Sequence, residues 1–177
     1  MKDLTKEVII TPRLKLVSLS EKYAQVISDN FTDEITRYMV SAASKKVEDT
    51  LEYIQKQLPK MKRGEDFHVV ILDKKTEEFL GGGGAHDLQT AMPQLGIWIK
   101  KAAHGHGYGK EAVTALRQWL DENISYTYIK YPVDKRNIPS RKIAESLGGI
   151  IEDEYKKTNM SGNVLDEVEY RMYKKSS

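Results

Sequence analysis

The run His104-Gly105-His106-Gly107-Tyr108-Gly109-Lys110 sets three glycines at alternate positions, directly after an apolar stretch and directly before a helical pattern. Successive backbone N–H groups of such a turn, with the positive end of the helix behind them, converge on an anion, and phosphate is the natural guest. Glycine suits the turn because a side chain would hold the phosphate off the amides and because such loops use positive φ angles. Three kinds of phosphate loop compete for these residues. A P-loop needs Ser or Thr after Gly109-Lys110 and Gly five residues before Gly109, where this chain has Glu111 and His104. A dinucleotide fold finds G-x-G-x-x-A in Gly107 to Ala112, but about twenty residues on it needs an acid, and Lys130 and Tyr131 stand there.

Other reactive side chains are few. With no cysteine there is no disulfide framework, thiolate metal site or cysteine nucleophile. His68, His86, His104 and His106 contain no pair at helical metal-site spacing, and His104 and His106 lie in the glycine-rich turn without a third ligand, so no metal is expected. Basic residues number 28 and acidic residues 26, a net charge of +2. That balance gives no field to draw nucleic acid or an anionic membrane surface. The start Met1-Lys2-Asp3-Leu4 carries no apolar signal region, so a cytoplasmic location is expected.

The elements that must position the turn are well punctuated. Leu14 to Leu19 alternates as a half-buried strand, and Ser20 before Glu21 can cap a helix. Val47, Leu51, Ile54, Leu58 and Met61 mark one face of a helix ending near Gly64. Phe67 to Leu72 and Phe79 onward read as an antiparallel hairpin about the turn Asp73 to Glu78. Its second strand runs through Gly81 to Gly84, which signals a bulge or a close approach of another backbone, with the bulge preferred. Leu95 to Ile99 is a buried strand, and Ala112, Val113, Leu116, Trp119 and Leu120 form the core face of the helix after the turn. Tyr126 to Val133 is rich in β-formers. Asn137 then caps a helix with Pro139 in its first turn and Gly148 as its stop. Ile150 to Lys157 and Val164 to Lys174 form a last hairpin around Asn159 to Asn163. One domain over residues 1–177 accommodates all of this.

Four pieces, in order, resemble the GNAT superfamily of acetyltransferases and, within it, the RimJ/RimL-like group. Thr11-Pro12-Arg13-Leu14-Lys15-Leu16 is similar to that group's opening strand, Leu95 to Ile99 to its fourth strand, Gly105 to Ala112 to its pyrophosphate loop, and Asn137 to Gly148 to the following helix. The resemblance implies an α+β GNAT fold, a central mixed, mostly antiparallel twisted sheet of about seven strands flanked by about four helices. It implies an acyltransferase that moves an acetyl group from acetyl-CoA to a primary amine, either a protein N-terminus or a small molecule, in a monomer or homodimer. A non-catalytic acyl-CoA-binding module on the same fold is the alternative.

The resemblance also distributes roles. The pantetheine arm would add to the strand edge at Trp98, Ile99 and Lys100, with the pyrophosphate on His104, Gly105, His106, Gly107, Tyr108, Gly109 and Lys110. The thioester would lie where the fourth and fifth strands splay. Ser140 is the candidate proton donor to the departing thiolate, or else a first-turn serine satisfying a free helix N–H. Asn137 either touches the cofactor arm or only caps its helix. Gln94 stands where many relatives carry a glutamate base, and an amide accepts no proton at neutral pH. His86 is then the candidate base, against a surface histidine at a strand end, and a water chain to solvent is a third route. Phe31 to Tyr38 and Asn159 to Asn163 would frame the acceptor groove. Asp33 and Glu34 would either attract a cationic amine or form a solvated helix face.

Overall fold

A computed structural model describes residues 2–175; Met1, part of the chain start read above, lies outside the described residues, as do the last two serines. One eight-stranded sheet organises the chain, in the order β1-β2-β3-β4-β5-β6-β8-β7. Its strands are β1 (Val8–Ile10), β2 (Leu14–Ser18), β3 (Phe67–Asp73), β4 (Phe79–His86), β5 (Gln94–Ile99), β6 (Tyr128–Asp134), β7 (Ile150–Thr158) and β8 (Val164–Tyr173). Every neighbouring pair is antiparallel except β5 and β6, which are parallel. The helices are α1 (Ala24–Asn30), α2 (Asp33–Thr36), α3 (Val47–Lys62), α4 (Tyr108–Asn123) and α5 (Ile138–Ser146). The fold class read from the sequence holds, with β1 added at one edge. Ser20 makes no side-chain capping bond: the chain enters α1 through a short 3-10 turn, Glu21–Tyr23.

The sheet is covered on both faces, and β3 shows how. Its six residues from Phe67 to Leu72 are all buried, because alternate side chains enter opposite cores. Phe67, Val69 and Ile71 join the cluster under α4 and α5, with Leu116, Trp119 and Leu120. Val70 and Leu72 join Ile54 and Met61 of α3 and Ala24 of α1 on the other side. The face expected for α4 is the one it buries. β7, at the far edge, is exposed along nearly its whole length and carries Glu152, Asp153, Glu154, Lys156 and Lys157, charges that discourage pairing with another chain.

The glycine run in β4 is explained by close approach more than by the expected bulge. A register shift does occur, between Ile71 and Leu72, but Gly81 to Gly84 themselves pair without a break with both β3 and β5. A Cβ on Gly81 would lie 2.2 Å from the Trp98 carbonyl oxygen, and one on Gly84 would lie 2.4 Å from that of Phe67. Backbone on either side leaves no room for a side chain. Among the described residues no helix is long and apolar enough to cross a membrane.

Candidate active site

β5 and β6 share a single register pair, Gln94 with Lys130, and then separate. Past that point β5 pairs with β4 on one side and has no strand partner on the other. The cradle lies at its end. Gly105 and Gly107 take φ of +82° and +76°, the left-handed region that glycine adopts without strain, and Gly107 is the N-cap of α4. The first intrahelical bond there runs from the Glu111 N–H to the Gly107 carbonyl at 3.2 Å, so the amides of Tyr108, Gly109 and Lys110 precede it and face out of the helix end. At Gly109 a Cβ would come within 3.2 Å of Ile143 on α5 and 3.7 Å of Ile99 on β5. The missing side chain lets α4, α5 and β5 close on one point.

Arg13 braces the loop from outside. Its Nε donates to Glu111 Oε2 at 2.7 Å, its backbone N–H to Oε1 at 2.9 Å, and its Nη1 to the His106 carbonyl at 2.8 Å. The Thr11 hydroxyl adds a bond to Oε1 at 2.6 Å. Burial opposes the charge on Glu111, but these donors outweigh it and hold the carboxyl below its usual range. Tyr108 packs between the Arg13 guanidinium and the His106 ring, at 4.7 and 5.5 Å. His104 Nε2 lies 2.7 Å from the Ile99 carbonyl, tying the loop to the end of β5. The imidazole thus has a local partner beside the loop.

Of the residues expected along the strand edge, Lys100 turns away. Its N–H donates to Leu80 at 2.8 Å and its ammonium pairs with Glu78 at 2.8 Å, both on the β4 side. Trp98 is half-buried against Phe31 and Phe79 rather than in the central core, while Trp119 is a core residue. Lys110 and His106 stay exposed at the loop.

Ser140 does not satisfy a helix N–H with its hydroxyl. Asn137 Oδ1 accepts the Ser140 N–H, at 3.4 Å, so Asn137 acts as the cap. Ser140 Oγ instead lies 2.8 Å from the hydroxyl of Tyr131 on β6. Tyr131 is buried, and burial pushes its phenol up to about 12, with the Ser140 bond acting in the opposite sense. It therefore stays protonated at neutral pH. Tyr131 was missed in the sequence, where it reads only as a β-former.

On the face opposite α4, a cavity of about 510 Å³ opens against β4 and β5. Phe31, Met39, Tyr53, Trp98 and Met160 line its apolar part, and His68 and His86 stand at its polar end. The turn Asn159 to Asn163 meets the chain just past the segment Phe31 to Tyr38: Asn159 Nδ2 donates to the Met39 carbonyl at 3.2 Å and the Met160 N–H to that of Val40 at 2.9 Å. Glu34 pairs with Lys101 at 2.8 Å, which draws α2 toward the turn before the cradle, and Asp33 stays exposed.

His86 ends β4 but is half-buried there rather than exposed at the surface. It pairs across from Gln94 and leans toward Gly96, whose Cβ, if present, would sit 4.0 Å from His86 Nε2. Burial first, then the neighbouring His68, lowers its imidazole to about 4, against the pull of Asp66. The ring is neutral at pH 7. The histidines also acquire the third group that spacing did not reveal: Asp66, His68 and His86 converge in space.

Residues 13–150 match the acetyltransferase (GNAT) domain family. The chain is 26% identical over 176 residues to the uncharacterized N-acetyltransferase p20 of Bacillus licheniformis, covering 96% of this chain and 97% of that one. Among solved structures, it resembles the acetyl transferase of Salmonella typhimurium that modifies the N-terminal serine of ribosomal protein L7/L12, with a TM-score of 0.82 at 15% identity over 96% of this chain and all of the other. RimL in complex with coenzyme A superposes equally, TM-score 0.82 at 15% identity over 94% of this chain and 98% of that one. A GNAT-family acetyltransferase of Bacillus anthracis gives 0.80 at 17% identity, over 94% and 98%. With that family matched over residues 13–150, most of its length, the chain belongs to the GNAT family of acetyltransferases.

Proposed function

We propose that this protein transfers an acetyl group from acetyl-CoA to a primary amine, a protein N-terminus or a small-molecule amine, by direct attack of the amine on the thioester. The observation that carries the reading is the divergence of β5 from β6 directly before the glycine cradle. An extended arm can add along that unpaired edge beside Trp98 and Ile99, and its pyrophosphate fits the outward amides from Gly105 to Lys110, with His104 and His106 alongside. Lys100 has no part in this, and Asn137 contributes by capping α5. When bound, the cofactor supplies the activated acyl carbon and a thiolate leaving group.

The residues then divide the proton work. Tyr131, kept protonated by burial, and Ser140, hydrogen-bonded to it, are the donors for the departing sulfur. His86, neutral at the cavity wall, accepts the proton from the attacking amine in place of the carboxylate that Gln94 lacks. A cavity with apolar walls also favours the uncharged, nucleophilic form of an amine within it. The whole chain acts as one unit in a cytoplasmic setting.

Gln94 supports the second reading, an acyl-CoA-binding module without turnover. Mixing the protein with acetyl-CoA and a panel of amines, including serine-led peptides and small monoamines and polyamines, and following thiol release separates the two. Release with at least one amine is expected. Thermal stabilisation by CoA without release across the panel would favour the binding module.

A further inference from the structure

Asp66 enters β3, and His68 and His86 lie on β3 and β4, two neighbouring strands whose register sets His68 opposite Gly84. One carboxylate oxygen and two imidazole nitrogens from these residues lie within 4.8 Å of one another. Two of the side chains are anchored through one atom and turn another toward the cluster. Asp66 Oδ1 accepts the Asp87 N–H at 2.9 Å, leaving Oδ2 turned to the cluster. His68 Nδ1 faces the Tyr53 hydroxyl at 3.5 Å, while Nε2 is buried without a hydrogen-bond partner, on a residue only 6% exposed.

One separation in the cluster bears on what would fill the gap. His68 Nε2 and Asp66 Oδ2 are 3.7 Å apart, too far for a direct hydrogen bond. Two ligands bound at about 2.1 Å to one tetrahedral ion stand roughly 3.4 Å apart. Two partners bridged by a water at hydrogen-bond distance stand roughly 4.5 Å apart. The observed separation is nearer the ion.

We propose that Asp66, His68 and His86 bind a divalent transition-metal ion, zinc foremost, at the polar end of the cavity. Two imidazoles and a carboxylate are a donor set suited to that class of ion, and the Tyr53 hydroxyl supplies the outer contact that orients a ligating histidine. His68 and His86 both line the cavity, so a further coordination position faces into it. Lys60 is the ammonium that faces the carboxylate, with Nζ 3.8 Å from Asp66 Oδ2; its half-exposed side chain can turn to solvent as an ion enters. An ion held there would also occupy the imidazole given a proton-accepting role above, but its binding does not depend on that role.

Calorimetric titration of the metal-stripped full chain with zinc chloride, with cobalt chloride followed in parallel by its visible absorption, tests the site. One ion per chain is expected, with cobalt bands of a low-coordinate nitrogen and oxygen site. Asp66→Asn keeps an acceptor for the Asp87 N–H, and His86→Ala alters a partly exposed strand end. Each should weaken binding about tenfold or more while a thermal scan shows a folded protein. A His104→Ala/His106→Ala variant should bind as the parent does. Failure of the parent to bind zinc, unchanged binding in Asp66→Asn and His86→Ala, or loss of binding in the His104/His106 variant would each overturn the assignment.

Discussion

Arg13 and Glu111, separated by 98 residues, are joined by two hydrogen bonds, one from the guanidinium at 2.7 Å and one from the backbone N–H at 2.9 Å. The same guanidinium reaches the His106 carbonyl, so the corner before β2 fixes the shape of the cradle at the head of α4. Glu111→Gln keeps the side chain's size but removes the charge that collects these donors. Coenzyme A affinity should fall by about tenfold, or about 1.4 kcal/mol, measured by calorimetric titration. Unchanged affinity would mean that the brace does not shape the cradle.

The glycine at the N-cap of α4 gives a second prediction. At φ of +76°, Gly107 holds a conformation that costs an L-residue about 1–2 kcal/mol. Gly107→Glu adds that strain and a negative charge where the amides await an anion. Coenzyme A binding should be lost, while the melting temperature falls by only roughly 2–8 °C. Tight binding by the variant would move the pyrophosphate site elsewhere.

The sequence made legible what periodicity and glycine spacing encode. The core face of α4 follows from its 3.6-residue repeat, and the cradle from alternate glycines between a strand and a helix. What it left hidden depends on long-range pairing. β1 has only three residues, Val8–Ile10, too few to show alternation. The Tyr131–Ser140 bond joins the inward face of a strand to the first turn of a separate helix. The Asp66, His68 and His86 cluster depends on the β3–β4 register, which a bulge between Ile71 and Leu72 resets. No local pattern states where a bulge falls.

The Tyr131–Ser140 pair predicts a distinctive pattern of kinetics. Tyr131→Phe removes a donor that burial keeps protonated, and turnover should fall roughly hundredfold with little change in the KM for acetyl-CoA. Ser140→Ala should lower turnover by less. Because the two hydroxyls act through one hydrogen bond, the double variant should be little slower than Tyr131→Phe alone. Full additivity of the two losses, in initial-rate measurements of thiol release, would separate them into independent roles.

Asp134 ties the end of β6 to the β8 side of the sheet, and its burial makes acid stability a test. Its fully buried carboxylate accepts from the Arg136 side chain at 2.8 Å and from the backbone N–H groups of Arg136 and Asp166, each at 2.9 Å. The Arg136 bonds first, then those backbone bonds, lower its pKa to about 2 against the opposing effect of burial. A carboxyl with its folded value below its unfolded one stabilises fully above pH ~4 and loses that contribution as pH falls toward about 2. Asp134→Asn should therefore cost about 2 kcal/mol at pH 7 by urea unfolding, with the gap to the parent closing between pH 4 and pH 2. A gap that stays constant down to pH 2 would show that the loss comes from altered packing and not from the charge.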